Sequence, residues 1–495
     1  MRAAAAAHLF NTNMALDHLG NEAVERAKEI LMAAIFTIRS SDWRSGKVAS
    51  GLRAAPLVMI AATASMAALA QGAAPAARPD PQVAGEAYAV HGQFTVVEQG
   101  TSGFNAPYSG ANSLSPHDRK ETADATLYLG ARLWPGAEVW INPEIDQGFG
   151  LDDTLGVAGF PSGEAYKVGK KQPYLRLQRA FIRDTVDLDG NRKAVDADAN
   201  WLGGARSANR WVFTLGKFAV GDVFDVNRYA HDPRADFLNW AAIDAGTFDY
   251  AADAWGYTVG GAAEWYRNSW TLRAGVFDLS NVPNSVHLEP GFHEFQIIAE
   301  TEHRHTLAGH PGKVIVTLFD SRARMGLLDQ AVQLAQSAGT AVDIAAVRKY
   351  RSRLGVDLDL QQALSANLGL FARLGKAAGN VETYEFTDID RSVEAGLSLR
   401  GADWGRALDT LGFALMDNGI SASRQRYLNA GGLGILVGDG RLPHPGPERI
   451  VETYYRAAVI SNAQLTFDYQ WIDHPAYNRD RGPAAVFALR LHAEF

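Results

Sequence analysis

The chain has 495 residues, 47% of them hydrophobic, with 48 Gly, 16 Tyr, 11 Trp, 22 Phe and no Cys, and a formal net charge of −8 at pH 7. This composition is too apolar for a disordered chain, and it lacks the long apolar helices of an inner-membrane protein. The acidic balance argues against nucleic acid as a partner, and the missing cysteines exclude disulfides and thiolate metal sites, leaving a soluble β-rich protein or a membrane barrel.

The first sustained feature is the apolar run from Ala54 to Ala70, which is interrupted by Pro56, Thr63 and Ser65 and is marginal for a spanning helix. Lys47 and Arg53 provide a positive flank, Leu57 to Ala67 an apolar centre, and Ala68-Leu69-Ala70 a small-x-small site before Gln71. These are the parts of an export signal cleaved after Ala70, followed by the Pro- and Ala-rich stretch Gly72 to Gln82. Residues 1–46 lie far upstream of such a signal. A later start, at Met32 or near Val48, competes with a simple N-terminal extension. The expected division is an extension and signal peptide over 1–70, a linker over 71–86 and a barrel over 87–495.

A strand crossing a membrane alternates lipid-facing apolar with lumen-facing polar residues over about 10 positions. Alternation begins with Tyr88, Val90, Phe94 and Val96 against His91, Gln93 and Thr95. Ala123, Ala125, Leu127, Leu129 and Leu133 then oppose Asp124, Thr126, Tyr128 and Arg132. After a Pro135-Gly136 turn, Ala137, Val139, Ile141 and Ile145 oppose Glu138, Trp140, Asn142, Glu144 and Asp146, with Pro143 predicting a bulge. From Tyr174 to Val186 the register is ambiguous, because Leu175, Leu177, Arg179, Phe181 and Arg183 share one face. Tyr257, Val259, Ala263 and Trp265 face away from Thr258 and Glu264, and Trp270, Leu272, Ala274 and Val276 return against Thr271 and Arg273.

Leu327 to Val347 breaks the pattern and predicts two short helices around Ser337-Ala338-Gly339 in a loop. Alternation resumes with Leu354, Val356, Leu358 and Leu360 against Arg353, Asp357, Asp359 and Gln361, and is clearest from Ala463 to Trp471. The last strand sets Phe487, Leu489, Leu491, Ala493 and Phe495 against Ala488, Arg490, His492 and Glu494, so a terminal aromatic continues the apolar face and is a candidate signal for barrel assembly machinery. The fold expected is all-β: a transmembrane antiparallel β-barrel of about 16 strands, with short helices in loops. Short turns such as Ser461-Asn462 and Leu364 to Asn367 alternate with long connections at Gly148 to Gln172, Val220 to Trp255 and Gly419 to Arg449.

Several stretches along this pattern are similar to one family. They are HGQFTVVEQG with PYSG and NSL, NPEIDQGFGL ahead of GEAYKVGK, GKFAVGDVFDVNRYAHDPRADFLNW and AWGYTVGG. Toward the C-terminus come GGLGILVGDGRL, PERIVETYY, and AYNRDRGP leading into LRLHAEF. In order and spacing they resemble the carbohydrate-selective porins of the OprB family from about His91 to Phe495. The resemblance implies a barrel of about 16 strands with a charged constriction through which mono- or oligosaccharides diffuse, in the bacterial outer membrane. It implies outer-membrane lipid as surroundings, a monomer or homotrimer, no cofactor and no catalysis.

Sugars are neutral and rich in hydroxyls, so a selective pore needs donors, acceptors and flat aromatic surfaces at its narrow point. Arg132, Arg179, Arg183 and Arg273 are candidate donors, Asn142, Glu144, Asp146 and Glu264 candidate acceptors, and Tyr128 and Trp140 candidate stacking surfaces. Trp140, Asn142, Glu144 and Asp146 form the best constellation, because alternate positions on one strand project to one side. Glu144, Arg179 and Arg183 are favoured for the constriction, although any water-filled barrel has polar lumen residues without selectivity. A general or structural barrel is therefore the competing reading. A barrel enzyme is weaker, since no G-x-S-x-G elbow is present. Weaker signals have plain explanations: Gly432, Gly434 and Gly438 suit a glycine-rich loop, His303, His305 and His310 a solvated turn, and Asp222, Asp225 and Asp232 lack the EF-hand spacing.

Overall fold

The computed structural model describes residues 85–165 and 169–495. The export signal, the upstream extension and most of the linker lie outside the described residues.

Strand β1 (Tyr88–Thr101) pairs with β2 (Arg119–Trp134), and a tight turn leads to β3 (Ala137–Gly148). The wall continues through β4 (Lys170–Asp187), then β7 (Arg210–Phe218), β8 (Thr258–Arg267) and β9 (Trp270–Asp278). It proceeds through β10 (Phe295–Leu307), β11 (His310–Met325), β12 (Lys349–Ala363), β13 (Leu368–Ala377) and β14 (Arg391–Gly401). The last members are β15 (Arg406–Gly419), β16 (Glu448–Ile460), β17 (Ala463–Asp473) and β18 (Ala484–Glu494). Because β18 also pairs antiparallel with β1, the wall is a closed 16-stranded barrel. Closure removes unpaired edges, so every strand's backbone groups find partners within the wall. The two strands outside it, β5 (Arg192–Val195) and β6 (Gly204–Ser207), pair only with each other.

The alternation sorts residues as expected for most strands. Leu129, Ile141, Leu354, Val356, Phe467, Phe487 and Leu489 are exposed on the outer wall, whereas Asp124, Glu144, Arg353, Asp357, Asp468 and Arg490 are buried inside. The bulge predicted at Pro143 occurs, but the extra residue lies in the neighbouring strand. Asn142 is opposite Arg179 and Pro143 opposite Leu177, so Gln178 is unmatched. That added residue settles the ambiguous register of β4. Leu175 and Leu177 point outward before the bulge, and Phe181 and Arg183 point inward after it. Tyr257 departs from its expected outward face: β8 starts at Thr258, and Tyr257 is the buried last residue of an inward-folded loop.

Two other expectations change. Between Leu327 and Val347 there is one α-helix, α2 (Leu328–Ala338), which ends where Gly339 takes the left-handed conformation with φ 64°; the second element is only a 3₁₀ turn at Ala345–Val347. The short-turn end is not uniformly short either, because residues 188–209 join β4 to β7 there and carry the β5–β6 ribbon. Glu138 on β3 accepts from the Leu202 amide at 3.0 Å, and Arg183 on β4 donates to the Asn200 carbonyl at 2.7 Å, so the wall ties this insertion inward.

Large inward rings cover glycines on the next strand. Trp140, Phe319, Phe371 and Tyr454 lie opposite Gly130, Gly355, Gly396 and Gly412, where an added Cβ would come 2.0–2.5 Å from the ring. Phe371 also packs on Phe237 of a long loop, with centroids 5.5 Å apart. Gly396→Val is therefore expected to push Phe371 into that loop and destabilise the barrel by about 1–3 kcal/mol through overpacking, read as a lower urea midpoint in detergent micelles; an unchanged midpoint would contradict the close approach.

Candidate functional site

Residues 219–257, between β7 and β8, fold into the lumen instead of extending beyond it. Irregular backbone at that depth needs partners for its N–H and C=O groups, and charged wall side chains supply them. Glu300 accepts from the Asp225 amide at 2.8 Å, Lys313 donates to the Val226 carbonyl at 2.7 Å, and Glu394 accepts from Gly246 at 2.8 Å. Arg373 donates to the carbonyls of Ala242 at 2.7 Å and Ala230 at 2.8 Å. Glu452 accepts from Leu238 at 2.6 Å, Arg456 donates to Ala235 at 3.0 Å and Arg490 to Asp236 at 2.9 Å. Within the loop, Asn239 caps the short helix α1 (Trp240–Ile243) by accepting from the Ala241 amide at 3.0 Å. The preceding long loop packs beside it, with Phe160 stacked on Trp240 at 5.2 Å and the Trp240 amide donating to the Phe160 carbonyl at 3.0 Å.

These backbone anchors all come from β10 to β18, whereas toward β2, β3 and β4 the loop makes side-chain pairs through Asp222, Arg234 and Asp253 around an opening. There lies a cavity of about 370 Å³ with Tyr128, Arg179, Phe181 and Arg183 on the wall side. Glu164 and Arg234 approach from the two inward loops, Tyr257 from the loop's end, and Trp201 from the insertion at the short-turn end. Its cations are matched to carboxylates. Arg179 grips Asp222 with both arms of its fork at 2.7 and 2.6 Å and lies 4.9 Å over the Tyr257 ring. Arg234 reaches Glu164 at 2.8 Å, Asp124 at 3.1 Å, Glu144 at 3.3 Å and the Tyr128 hydroxyl at 3.4 Å. Burial opposes the charged form of Arg234, but Glu164, Asp124 and Glu144 hold its pKa above the ordinary arginine range. Arg183 pairs with Glu138 at 3.1 Å and stacks 3.7 Å over Trp201, whose ring is also contacted by Arg206 at 3.8 Å.

Of the residues singled out by sequence, Tyr128, Arg179 and Arg183 line the opening. Glu144 is fully buried behind it, receiving hydrogen bonds from Thr126 and from Gln178 at 3.1 Å as well as the Arg234 contact. Asn142 is buried and donates to Asn200 at 2.9 Å, and Asp146 is buried beside Gln178 at 3.4 Å. Trp140 offers no stacking surface, because its ring is wholly covered by Gly130 and His91. Arg132 donates to the Glu86 carbonyl at 2.8 Å and the Gly203 carbonyl at 3.2 Å near the short-turn end. Glu264 and Arg273 belong to a separate wall network, in which Arg273 pairs with Glu264 at 3.0 Å, Glu300 at 2.6 Å and Glu302 at 3.1 Å.

Sequence reasoning missed Glu164, Trp201, Asp222, Arg234 and Tyr257. All but Trp201 fall within the quoted family-like stretches, which was the available signal. Asp222 and Asp225 are not joint metal ligands: Asp222 faces Arg179, whereas Asp225 lies 3.6 Å from Arg373. Among the described residues no cluster of three or more His, Asp or Glu side chains is arranged to hold a metal.

A closed antiparallel barrel whose loops turn inward around a charged, aromatic-lined opening is a porin-type channel. The chain belongs to the carbohydrate-selective porin family, OprB, whose family model matches residues 111–495. A solved structure of OprB from Pseudomonas putida at high pH has 17% sequence identity, covers 83% of this chain and 94% of that chain, and superposes with a TM-score of 0.61, showing the same fold. Its low-pH form gives 13% identity, 83% and 93% coverage and a TM-score of 0.45. The outer membrane protein opdK from Pseudomonas aeruginosa gives 11%, 82% and 99%, and 0.40. No curated protein matches the chain.

The loop anchor is testable at Arg373. Removing this buried cation by Arg373→Met leaves Asp359, 2.8 Å away, without its counterion and, among the described residues, with only the Asn227 side-chain amide donating to it. The expected loss is about 3–5 kcal/mol of folding stability, with a larger single-channel conductance as the loop leaves the lumen. Unchanged conductance would show that Arg373 does not hold the loop.

Proposed function

We propose that this sugar-selective porin admits mono- and oligosaccharides by passive diffusion through the opening between the inward loops and β2–β4. The observation that carries this reading is the pairing of every arginine at the opening with a carboxylate beside Tyr128, Trp201 and Tyr257. Matched charges give a neutral solute many donors and acceptors without a strong net field for ions, and Tyr128 and Tyr257 offer apolar ring surface to sugar C–H groups. Arg179 and Arg183 act as donors at the narrow section, and Glu144 positions Arg234. The family and fold indicate a channel rather than an enzyme. In the same reading the barrel sits in the outer membrane, follows export with cleavage after Ala70, and is delivered to the assembly machinery by Phe495. Phe495 exchanges backbone hydrogen bonds with Gly92 at 3.0 and 3.1 Å at the closing seam.

Planar-bilayer recordings test the proposal. Open channels whose current is reduced by added sugars are expected; channels indifferent to every mono- and oligosaccharide indicate a general barrel instead. Arg179→Ala should weaken sugar block about tenfold, the value of one hydrogen bond to a charged group, with a smaller fall in the urea midpoint than Arg373→Met, because Asp222 keeps the Ala219 amide donor and some contact with solvent. Equal sugar block in the variant would remove Arg179 from the site.

A further inference from the structure

The outer wall carries a feature unrelated to the pore. Between β10 and β13 an apolar groove of about 570 Å³ opens outward, lined by Ile297, Ala299, Leu318, Leu354 and Val356, with Lys376 and the carboxylate of Asp320 as its charged lining. Small Ala299 stands opposite the larger Leu318, which hollows the surface there. At the long-loop rim beside the groove, Arg322 and Arg324 on β11, Lys376 on β13 and Arg391 on β14 all lie on the outward face and are exposed. Among the described residues none of the four has an acidic partner. Asp320, which faces the same way, accepts from the Ser352 hydroxyl at 3.2 Å.

Lys376 and Arg391 are direct cross-strand partners. Like charges placed opposite each other destabilise a sheet, so this pair calls for an anion between them. The register sets Arg391 level with Lys376 on β13, Val356 on β12 and Leu318 on β11, so Arg322 lies two inter-strand steps and four residues from Lys376, about 17 Å along the wall, wider than a single phosphodiester. We propose that the rim and groove bind a membrane lipid carrying two phosphates on a broad head group. Lys376 and Arg391 hold one phosphate, Arg322 and Arg324 fork onto the other, and an acyl chain lies in the groove. The site needs the wall to face lipid but is independent of sugar selectivity.

Native mass spectrometry of the purified protein in neutral detergent tests this with bis-phosphorylated lipid A, its mono-phosphorylated form and phosphatidylglycerol as probes. Bis-phosphorylated lipid A is expected to bind at least about tenfold more tightly than either other lipid. The combined variant Arg322→Gln, Arg324→Gln, Lys376→Gln, Arg391→Gln should lose that preference while sugar-dependent conductance stays as in the parent. Should the fourfold variant fail to fold, Lys376→Gln with Arg391→Gln relieves a like-charge pair and should fold and still bind about tenfold less. Ala299→Phe, which fills the groove, should weaken binding but keep the preference for two phosphates. Undiminished binding in the charge variants, equal binding of phosphatidylglycerol, or a protein oligomer covering this face would each overturn the proposal.

Discussion

The structure depends on charged wall side chains taking over the hydrogen bonds of a loop that has only one short α-helix of its own. A barrel satisfies its wall by strand pairing, but residues 219–257 enter the lumen as mostly irregular chain. Each of their buried amides and carbonyls would be costly without a partner. Carboxylates on β10, β14 and β16 accept from the loop, and Lys or Arg side chains on β11, β13, β16 and β18 donate to it. Such bonds to ionised groups are stronger than neutral ones, and they fix where the backbone runs. The same side chains also neutralise one another: Arg373 sits 2.8 Å from Asp359 while it holds the loop. The lumen wall is thus both the loop's hydrogen-bond partner and its own counterion.

This division of the lumen explains why the opening has its composition. With the loop's backbone bonded to β10–β18, the cavity lies beside β2 and β4, whose inward residues include Tyr128, Arg179 and Arg183. The bulge opposite Pro143 is essential to that arrangement. Without the unmatched Gln178, either Leu175 and Leu177 or Phe181 and Arg183 would lie on the wrong face of the wall. One proline that cannot donate to the ladder therefore allows β4 to be lipid-compatible in one half and cationic toward the pore in the other.

Much of the wall was legible because its side-chain period is two and the environment on each face is uniform: Phe467 and Leu489 needed only alternation to be placed outside, Asp468 and Arg490 inside. Alternation failed at Tyr257, where one residue beyond the strand the chain belongs to a loop and the period has no meaning. It also could not separate lumen-facing from pore-lining. Trp140 and Tyr128 are both inward, but only a cross-strand glycine at position 130 reveals that the Trp140 ring lies flat against the wall. Arg234 was illegible for another reason. Its partners Asp124, Glu144 and Glu164 are 70 to 110 residues away and come from two strands and a loop. No local pattern encodes such a meeting, although the motif-like stretches contain Glu144, Glu164 and Arg234 in order, without Asp124.

The insertion at residues 188–209 gives the cavity a second boundary. A porin barrel with only short turns at that end would open directly from the narrow section, but here Trp201 reaches the same cavity as Arg234 and Tyr257. Its ring is sandwiched between Arg183 and Arg206, and the backbone beside it is held by Glu138 and Arg183. Guanidinium groups cover the faces of Trp201, so its indole edge and the arginine nitrogens, rather than a bare aromatic platform, would face a solute in the proposed passage. Arg183 therefore touches both sides of the cavity: it is part of the wall, and it holds the 188–209 insertion through the Asn200 carbonyl. A change at Arg183 alters both boundaries together, which is why Arg179, tied to one loop alone, is the cleaner reporter of contact between solute and wall.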